Sequence, residues 1–341
     1  MVLIFSLILT SVLIFLNTKF NFGSDTNIGQ QKFHEDSIPR TGGLAVFLSF
    51  FIFGYFLEIP NVEQIFLPAI IFFTVSFYED MNHSVNPVTR LTAIIISSIF
   101  LVLNTEIGVY GLDLWILDDI LAHPIANIIF TSITISLVAN SFNIIDGFNG
   151  LVSGFSLMVL AAIIYIAYSI GDAEIYSLSI LAFLSILGFM LFNFPFGRIF
   201  LGDAGAYFLG FLISFMLIKL SQNKDISVWL GLSLLIYPVF ELIFSIIRKS
   251  IFFKSSPLHP DKFHLHMLVF RNIVRCSFFK NKKEFCNSFT SILIWLFILP
   301  SLGLSIFWHL ESGPLFYLSV SFIVYYFFVY LAIYQKEKNK K

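Results

Sequence analysis

The sequence predicts an all-α integral membrane protein, a polytopic bundle of about eleven transmembrane helices with its N-terminus outside and its C-terminus cytoplasmic. Three observations carry that prediction. Hydrophobic residues make up 57% of the 341 and charged residues only 12%, against about 25% charged in a soluble domain, and the mean hydropathy is +0.88. The apolar residues gather into eleven runs that approach the roughly 20 residues a bilayer core demands. The basic residues sort between alternate loops: all of the twenty except Lys219 and Lys224 fall on one side. Since Lys and Arg are retained inside during insertion, that side is the cytoplasm.

In chain order the first run is 2–17. It lacks a basic leading segment and a small-x-small cleavage site, so it reads as a first helix and not as a signal peptide. Runs 42–57, 65–78 and 88–103 follow, the third being short for a span. The outside loop 104–123 contains an amphipathic piece, Leu112–Leu121, suited to lying along the membrane surface. Then come 124–140, 151–170, 176–192, 204–218 and 227–247. A long basic inside loop, 248–287, leads to the last two runs, 288–309 and 313–334. Outside loops hold acids such as Glu58, Glu63, Asp113, Asp118, Asp119 and Asp172. No linker, low-complexity tract or repeat divides the chain, so residues 1–341 read as a single polytopic domain. Two cysteines, Cys276 and Cys286, lie in one basic loop and imply no disulfide framework.

The unusual polar residues sit in the inside loops. Asn140-Ser-Phe-Asn143-Ile-Ile-Asp146-Gly147-Phe-Asn149-Gly150 closes one span and opens the next. Asn140, Asn143 and Gly147 share helical spacing, which puts two amides on one face with Asp146 close by. The same residue types also end helices and make turns. Phe200-Leu-Gly202-Asp203-Ala-Gly205 opens another span. A carboxylate at that helix start suits Mg²⁺, and the free amides there suit an anion, although Asp203 also reads as a plain N-cap. Glu79 and Asp80 close the third span, as paired carboxylates for a divalent ion or a general base. Three of the seven histidines, His259, His264 and His266, fall within eight residues. No Cys or HExxH pattern makes this a zinc site, and imidazoles also bind phosphate or orient a nucleophile. Lys32, His34 and the Pro39-Arg40-Thr41-Gly42-Gly43 stretch form a basic approach to the second span. The basic loop 248–287 reads either as ordinary inside bias drawn to anionic lipid or as a docking surface for an anionic substrate. Carboxylates for a hard cation, basic groups for phosphates and glycines for close approach together indicate a diphosphate substrate with Mg²⁺. Their place at the membrane face indicates a lipid co-substrate.

Those motifs resemble the polyprenyl-phosphate N-acetylhexosamine-1-phosphate transferases, the MraY- and WecA-like enzymes. The likeness runs from Lys32 to His266 in the family's order: IPRTGG at 38–43, the acidic pair at 79–80 with Arg90 downstream, NSFNIIDGFNGL at 140–151, FLGDAG at 200–205, then Pro238, Glu241 and Arg248 leading to HPDKFHLH at 259–266. Without a triple-histidine run or a TPTMGG-like segment, the chain is more similar to the WecA-like side. The resemblance implies that a lipid phosphate attacks the β-phosphorus of a UDP-sugar and releases UMP. It implies Asp203 as metal ligand, with Mg²⁺ as the cofactor and Mn²⁺ as its alternative, and Phe200 stacked on uracil. Asn140, Asn143, Asp146, Asn149 and Asn193 would line the nucleotide and sugar pocket, with Arg40, His259, His264 and His266 on phosphates or sugar and Glu79 and Asp80 near the attacking phosphate. Departures are Glu79 for a usual Asp, Asn149 for another, Met267 for a further His, and Gln31-Lys32 for Arg-Lys.

The expected product opens a cell-envelope glycan such as O-antigen or capsule, made at the cytoplasmic face of a bacterial inner membrane. Expected partners are a UDP-sugar, undecaprenyl phosphate and membrane lipid, with homodimerisation open and no nucleic acid. The alternative class is a secondary transporter of an anionic substrate, which would place its charges near the bilayer midplane. Here they cluster at one face. A scaffold working through 248–287 would have no use for Asp146 or Asp203.

Overall fold

The computed structural model describes residues 1–20, 38–252, 254, 256, 261–274 and 283–339. Its elements are helices: α1 (Val2–Phe20), α2 (Gly42–Phe56), α3 (Val62–Asn82), α4 (Pro87–Thr105), α5 (Trp115–Leu121), α6 (Pro124–Ile145), α7 (Leu151–Ile170), α8 (Ala173–Asn193), α9 (Gly202–Leu220), α10 (Leu230–Leu234), α11 (Ile236–Ile247), α12 (Leu265–Val269), α13 (Lys283–Phe307) and α14 (Ser312–Lys338). Among the described residues, nine of these are long and apolar enough to cross a membrane. The remaining two expected runs are shorter pieces. Helix α2 has 15 residues, and the run 227–247 breaks at Leu235 into α10 and α11. Pro238 explains the break, because it has no N–H for the Leu234 carbonyl and its ring crowds that turn. The amphipathic piece expected at Leu112–Leu121 is helix α5, which starts three residues later.

The run at 65–78, short on paper, is a 21-residue helix. It contains Pro68, which leaves the Gln64 carbonyl without its helical donor. The Asn104 side-chain amide supplies one at 2.9 Å. Elsewhere the punctuation is conventional. Asn86 caps α4 through the Val88 N–H with Pro87 in the first turn, and Asp172 caps α8 through the Ile175 N–H.

Helix α9 is the hub of the bundle. It contacts α2, α3, α6, α7 and α8, and 89% of its apolar stretch is buried, against 28% for α1 and α14. A helix apolar all round belongs inside, and one with a single buried stripe belongs at the edge, its other faces suited to lipid. The outward side chains of α1 and α14, among them Ile4, Ile8, Phe15, Tyr317 and Phe328, are accordingly apolar and exposed.

Helices α2 and α9 meet where both carry glycine. A Cβ on Gly43 would lie 2.5 Å from the Gly205 Cα, and one on Gly205 would lie 2.6 Å from the Gly43 Cα. The Gly42 and Gly43 amides donate to the Phe200 and Leu201 carbonyls at 2.9 and 2.8 Å. These glycines therefore serve helix contact of the kind membrane interiors favour, where sequence reasoning assigned them to approach of a ligand. Gly205→Ala should lower stability by about 1–3 kcal/mol, as other overpacked cores do, measured as thermal unfolding of the detergent-solubilised protein. An unchanged midpoint would show that the helices separate freely here.

Candidate active site

The bundle brings one end of seven helices together. Arg40 precedes α2, Asp80 ends α3, Arg90 begins α4, Asp146 follows α6, Gly150 precedes α7, Asn193 ends α8 and Asp203 begins α9. That meeting follows from alternating span direction, so residues spread over some 160 positions share one site.

Asp203 lies in the first turn of α9 between two guanidiniums. Arg40 donates to its Oδ1 at 2.9 Å and Arg90 donates to its Oδ2. Asp80 is fully buried beneath it. Its Oδ1 accepts from the Asp203 N–H at 2.8 Å and its Oδ2 from the Ala204 N–H at 3.0 Å, while Arg40 Nε stands 3.5 Å away. Two of the orphan amides at the start of α9 are thus satisfied by one carboxylate from α3. Gly202, with φ +77°, makes room: a Cβ there would lie 2.7 Å from Asp80 Oδ2. Glu79 turns elsewhere and accepts from the Val85 N–H at 2.6 Å, closing the turn after α3. The acidic pair read from the sequence is therefore two separate devices.

Asp146 caps the end of α6 and keeps part of its side chain open. Its carboxylate accepts no hydrogen bond from a described residue. Burial pushes its carboxyl up to about 7, only partly opposed by Arg40, and Asp80 lies within electrostatic reach. Three carboxyl groups face two guanidiniums, and among the described residues Asp146 is the one that no donor meets. Among the described residues, no three acidic, His or Cys side chains converge as a ready-made metal cage. Mg²⁺ asks for less, namely one or two carboxylates plus substrate phosphates. Asp203 can supply one such carboxylate, and Asp146 stands within electrostatic reach of the same Arg40.

The asparagines divide by role. Asn140 accepts from the Tyr207 hydroxyl at 3.5 Å, and Asn143 sits partly open on the last turn of α6. Asn149 and Asn193 are turned to structure. Asn193 Oδ1 accepts from the Gly150 N–H at 2.6 Å and its amide donates to the Ile199 carbonyl at 2.8 Å. The Asn149 amide donates to the Pro195 carbonyl at 3.3 Å, and its backbone is held by Asn287 and Ser291 of α13. Both are buried pins for the loops that carry Asp146 and Phe200. Phe200 itself is half-buried between Pro39 and Gly42, to which its backbone is bonded.

His266 borders the 146–149 loop, and His264 is stacked against it. His266 is fully buried, its Nδ1 is 3.3 Å from the Tyr237 hydroxyl, and its Nε2 faces Gly147, whose Cβ would lie 3.4 Å away. Burial drives the His266 imidazolium down to about 3 despite the pull of Glu241. Below the ordinary value near 6.5 the unfolded chain gains a proton that the fold refuses, so stability falls as pH drops from 6.5 toward 3. Between pH 7 and pH 5 the loss amounts to about 2 kcal/mol. His266→Gln should flatten that limb of a melting-temperature profile; an unchanged slope would place its source elsewhere.

Arg248 is not part of a basic surface. It is buried, ion-paired with Asp261 and stacked on Phe244 and Tyr330. Burial works to raise the Asp261 carboxyl, but Arg248 and His264 outweigh it and hold it below the usual carboxylate range. His259, Lys32, His34 and Cys276 lie outside the described residues. Sequence reasoning passed over Tyr207 and Tyr326; the second stands in a stripe, Tyr326, Tyr330 and Tyr334, at four-residue spacing on α14 that marks one face of that helix.

A model of glycosyl transferase family 4 matches residues 63–221. A probable undecaprenyl-phosphate N-acetylglucosaminyl 1-phosphate transferase of Bacillus subtilis is 32% identical over 69% of this chain; the match spans 66% of that relative, just under two thirds of its length. An undecaprenyl-phosphate alpha-N-acetylglucosaminyl 1-phosphate transferase of Thermotoga maritima is 28% identical over 79% of this chain and 80% of its own. One of Salmonella typhi is 27% identical over 77% and 74%.

Proposed function

We propose that the chain, as a member of glycosyl transferase family 4, transfers an N-acetylhexosamine 1-phosphate from a UDP-sugar to undecaprenyl phosphate, releasing UMP. The observation that carries this reading is the convergence of Arg40, Arg90, Asp80, Asp146 and Asp203 at one end of the bundle. That end lies level with lipid headgroups, where a water-soluble diphosphate and a lipid phosphate can meet. In the reaction one lipid phosphate oxygen bonds to the β-phosphorus, the bond from that phosphorus to the bridging oxygen breaks, and UMP carries the electron pair away. The sugar's anomeric bond is untouched.

Arg40 and Arg90 are the groups for the diphosphate, since guanidiniums match phosphate oxygens in pairs. In the structure they hold Asp203, so a diphosphate enters by sharing guanidiniums already in place. Asp203 and Asp146 would hold Mg²⁺, which when bound neutralises charge on the diphosphate. Asp80 fixes the start of α9 and with it the direction of Asp203. His266 flanks the Asp146 loop, with His264 stacked against it. The product opens a cell-envelope glycan in a bacterial inner membrane.

Membranes containing the chain, given radiolabelled UDP-N-acetylglucosamine and undecaprenyl phosphate, should yield lipid-extractable label and an equal amount of UMP. Failure across a panel of UDP-N-acetylhexosamines would overturn the proposal. The site faces the cytoplasm in this reading, on the strength of the basic sorting. Cysteines placed at Glu63, Asp113 and Asp172 should react with an impermeant thiol reagent in intact cells and one placed at Asn82 should not; the reverse pattern would invert the protein.

A further inference from the structure

Glu241 is buried to 0% exposure in α11, where a lone carboxylate is costly. Three donors meet it. His264 Nδ1 lies 2.9 Å from Oε1, the Leu265 N–H straddles both oxygens at 3.2 and 3.3 Å, and the Tyr326 hydroxyl donates to Oε2 at 2.7 Å. The other charged or titratable groups around it are Tyr237 from its own helix, Arg248 just past that helix's end, His266 and Asp261 from the segment 261–274, and Tyr330 from α14. Arg248 is committed to Asp261. An ionised carboxylate only accepts hydrogen bonds, so the nitrogen facing it must carry the proton. The second ring serves as an internal contrast. His266 is stacked on His264 with centroids 5.4 Å apart and planes within 2°, yet its Nδ1 meets only a tyrosine hydroxyl.

We propose that Glu241 is the positioning residue of the site's histidine. It holds the Nδ1 proton on His264 and so leaves Nε2 as an acceptor, offered to a hydroxyl or amide N–H of the bound sugar nucleotide, and the terminal helix completes the arrangement through Tyr326. The sugar nucleotide as ligand rests on the function proposed above; the placement of the proton does not. A purely structural demand at this buried position would be met at least as well by an uncharged side chain. The carboxylate instead spans three elements, α11, α12 and α14, that join only in the folded protein. Glu241 does not touch the substrate, and it acts through His264 in the way that an outer carboxylate sets the tautomer of a ligating histidine.

The test has two arms. With ¹⁵N-histidine in the full-length protein in nanodiscs, the His264 signal, assigned by its loss in His264→Asn, should show Nδ1 protonated across about pH 6–9. In Glu241→Gln the proton should shift toward Nε2. A wild-type spectrum with bare Nδ1 and protonated Nε2 overturns the proposal whether or not any variant folds. In the kinetic arm, Glu241→Gln should lower kcat about 10–100-fold with little change in KM for the UDP-sugar, and Glu241→Asp should recover part of the loss. His264→Asn/Glu241→Gln should be no slower than His264→Asn alone, because both act through one ring. Multiplying losses would show that Glu241 works independently of His264 and sink the idea. A wild-type protein that makes no lipid-linked product would instead count against the proposed function, and the spectrum would still decide the position of the proton.

Discussion

Asp203→Asn should lower kcat about 10²–10³-fold, the usual cost of removing one electrostatic stabiliser from a site, while leaving the protein folded. Two different sets of bonds meet at this residue. The backbone of Asp203 is anchored by its N–H on Asp80, and asparagine keeps that bond. Its side chain is the anion shared by Arg40 and Arg90, and asparagine keeps the shape while losing the charge. Arg90 then loses its carboxylate, Arg40 keeps only Asp80 at 3.5 Å, and a bound cation would lose a charged ligand. Turnover measured against Mg²⁺ concentration separates the two effects: a weakened cation site demands more Mg²⁺ and still falls short at saturation. A variant that keeps more than half the wild-type turnover at saturating Mg²⁺ would remove Asp203 from that role. The melting temperature should stay within a few degrees, because asparagine keeps the Asp203 N–H on Asp80 and leaves Asp80 beside Arg40.

Much of the fold was legible because a bilayer simplifies the code. Any stretch of about 20 apolar residues must form a helix, and the polar motifs between stretches then fall at known ends. Arg40, Asp80, Asp146 and Asp203 were all found that way and do meet. What stayed hidden was the identity of partners far apart in sequence. Glu79 and Asp80 look like one acidic pair, but adjacent residues on a helix point about 100° apart, so one accepts from α9 and the other from the turn after α3. Asn149 and Asn193 carry the same amide as Asn140 yet spend it on backbone groups, which spacing does not reveal. Gly43 and Gly205 are 162 positions apart and are glycines because of each other. The break before α11 was signalled by Pro238, although hydropathy alone reads 227–247 as one run. Tyr326 was the least accessible, since its hydroxyl acquires a purpose only when α14 closes on Glu241 across 85 residues.

Asp80→Asn should lower kcat by a similar factor, and equally at about pH 7 and pH 9. Two roles are open to this carboxylate: a base that takes a proton from the lipid phosphate, or an anchor that sets the start of α9. A base must reach the proton it takes, at hydrogen-bond distance or through one water. Asp80 is fully buried with both oxygens already accepting amide protons at 2.8 and 3.0 Å, so neither is free to make that contact without unfastening α9. Nor is there much work for a base. A phosphate monoester has its second pKa near 6 and is largely a dianion at neutral pH. The anchor role makes a further demand. Asparagine offers one acceptor and one donor where two acceptors are needed, so the Asp203 or Ala204 N–H must face an NH₂ group. A buried amide left unpaired costs about 1–3 kcal/mol, and Asp80→Asn should therefore melt earlier than wild type, which Asp203→Asn should not do by a comparable margin. Glu79→Gln should matter less on both counts, since Glu79 closes a turn away from the carboxylate cluster. Parallel pH–rate profiles and melting curves of Asp80→Asn and Glu79→Gln, with a soluble short-chain polyprenyl phosphate, decide the matter. Recovery of Asp80→Asn turnover as the pH rises, with an unchanged melting temperature, would restore the base and discard the anchor.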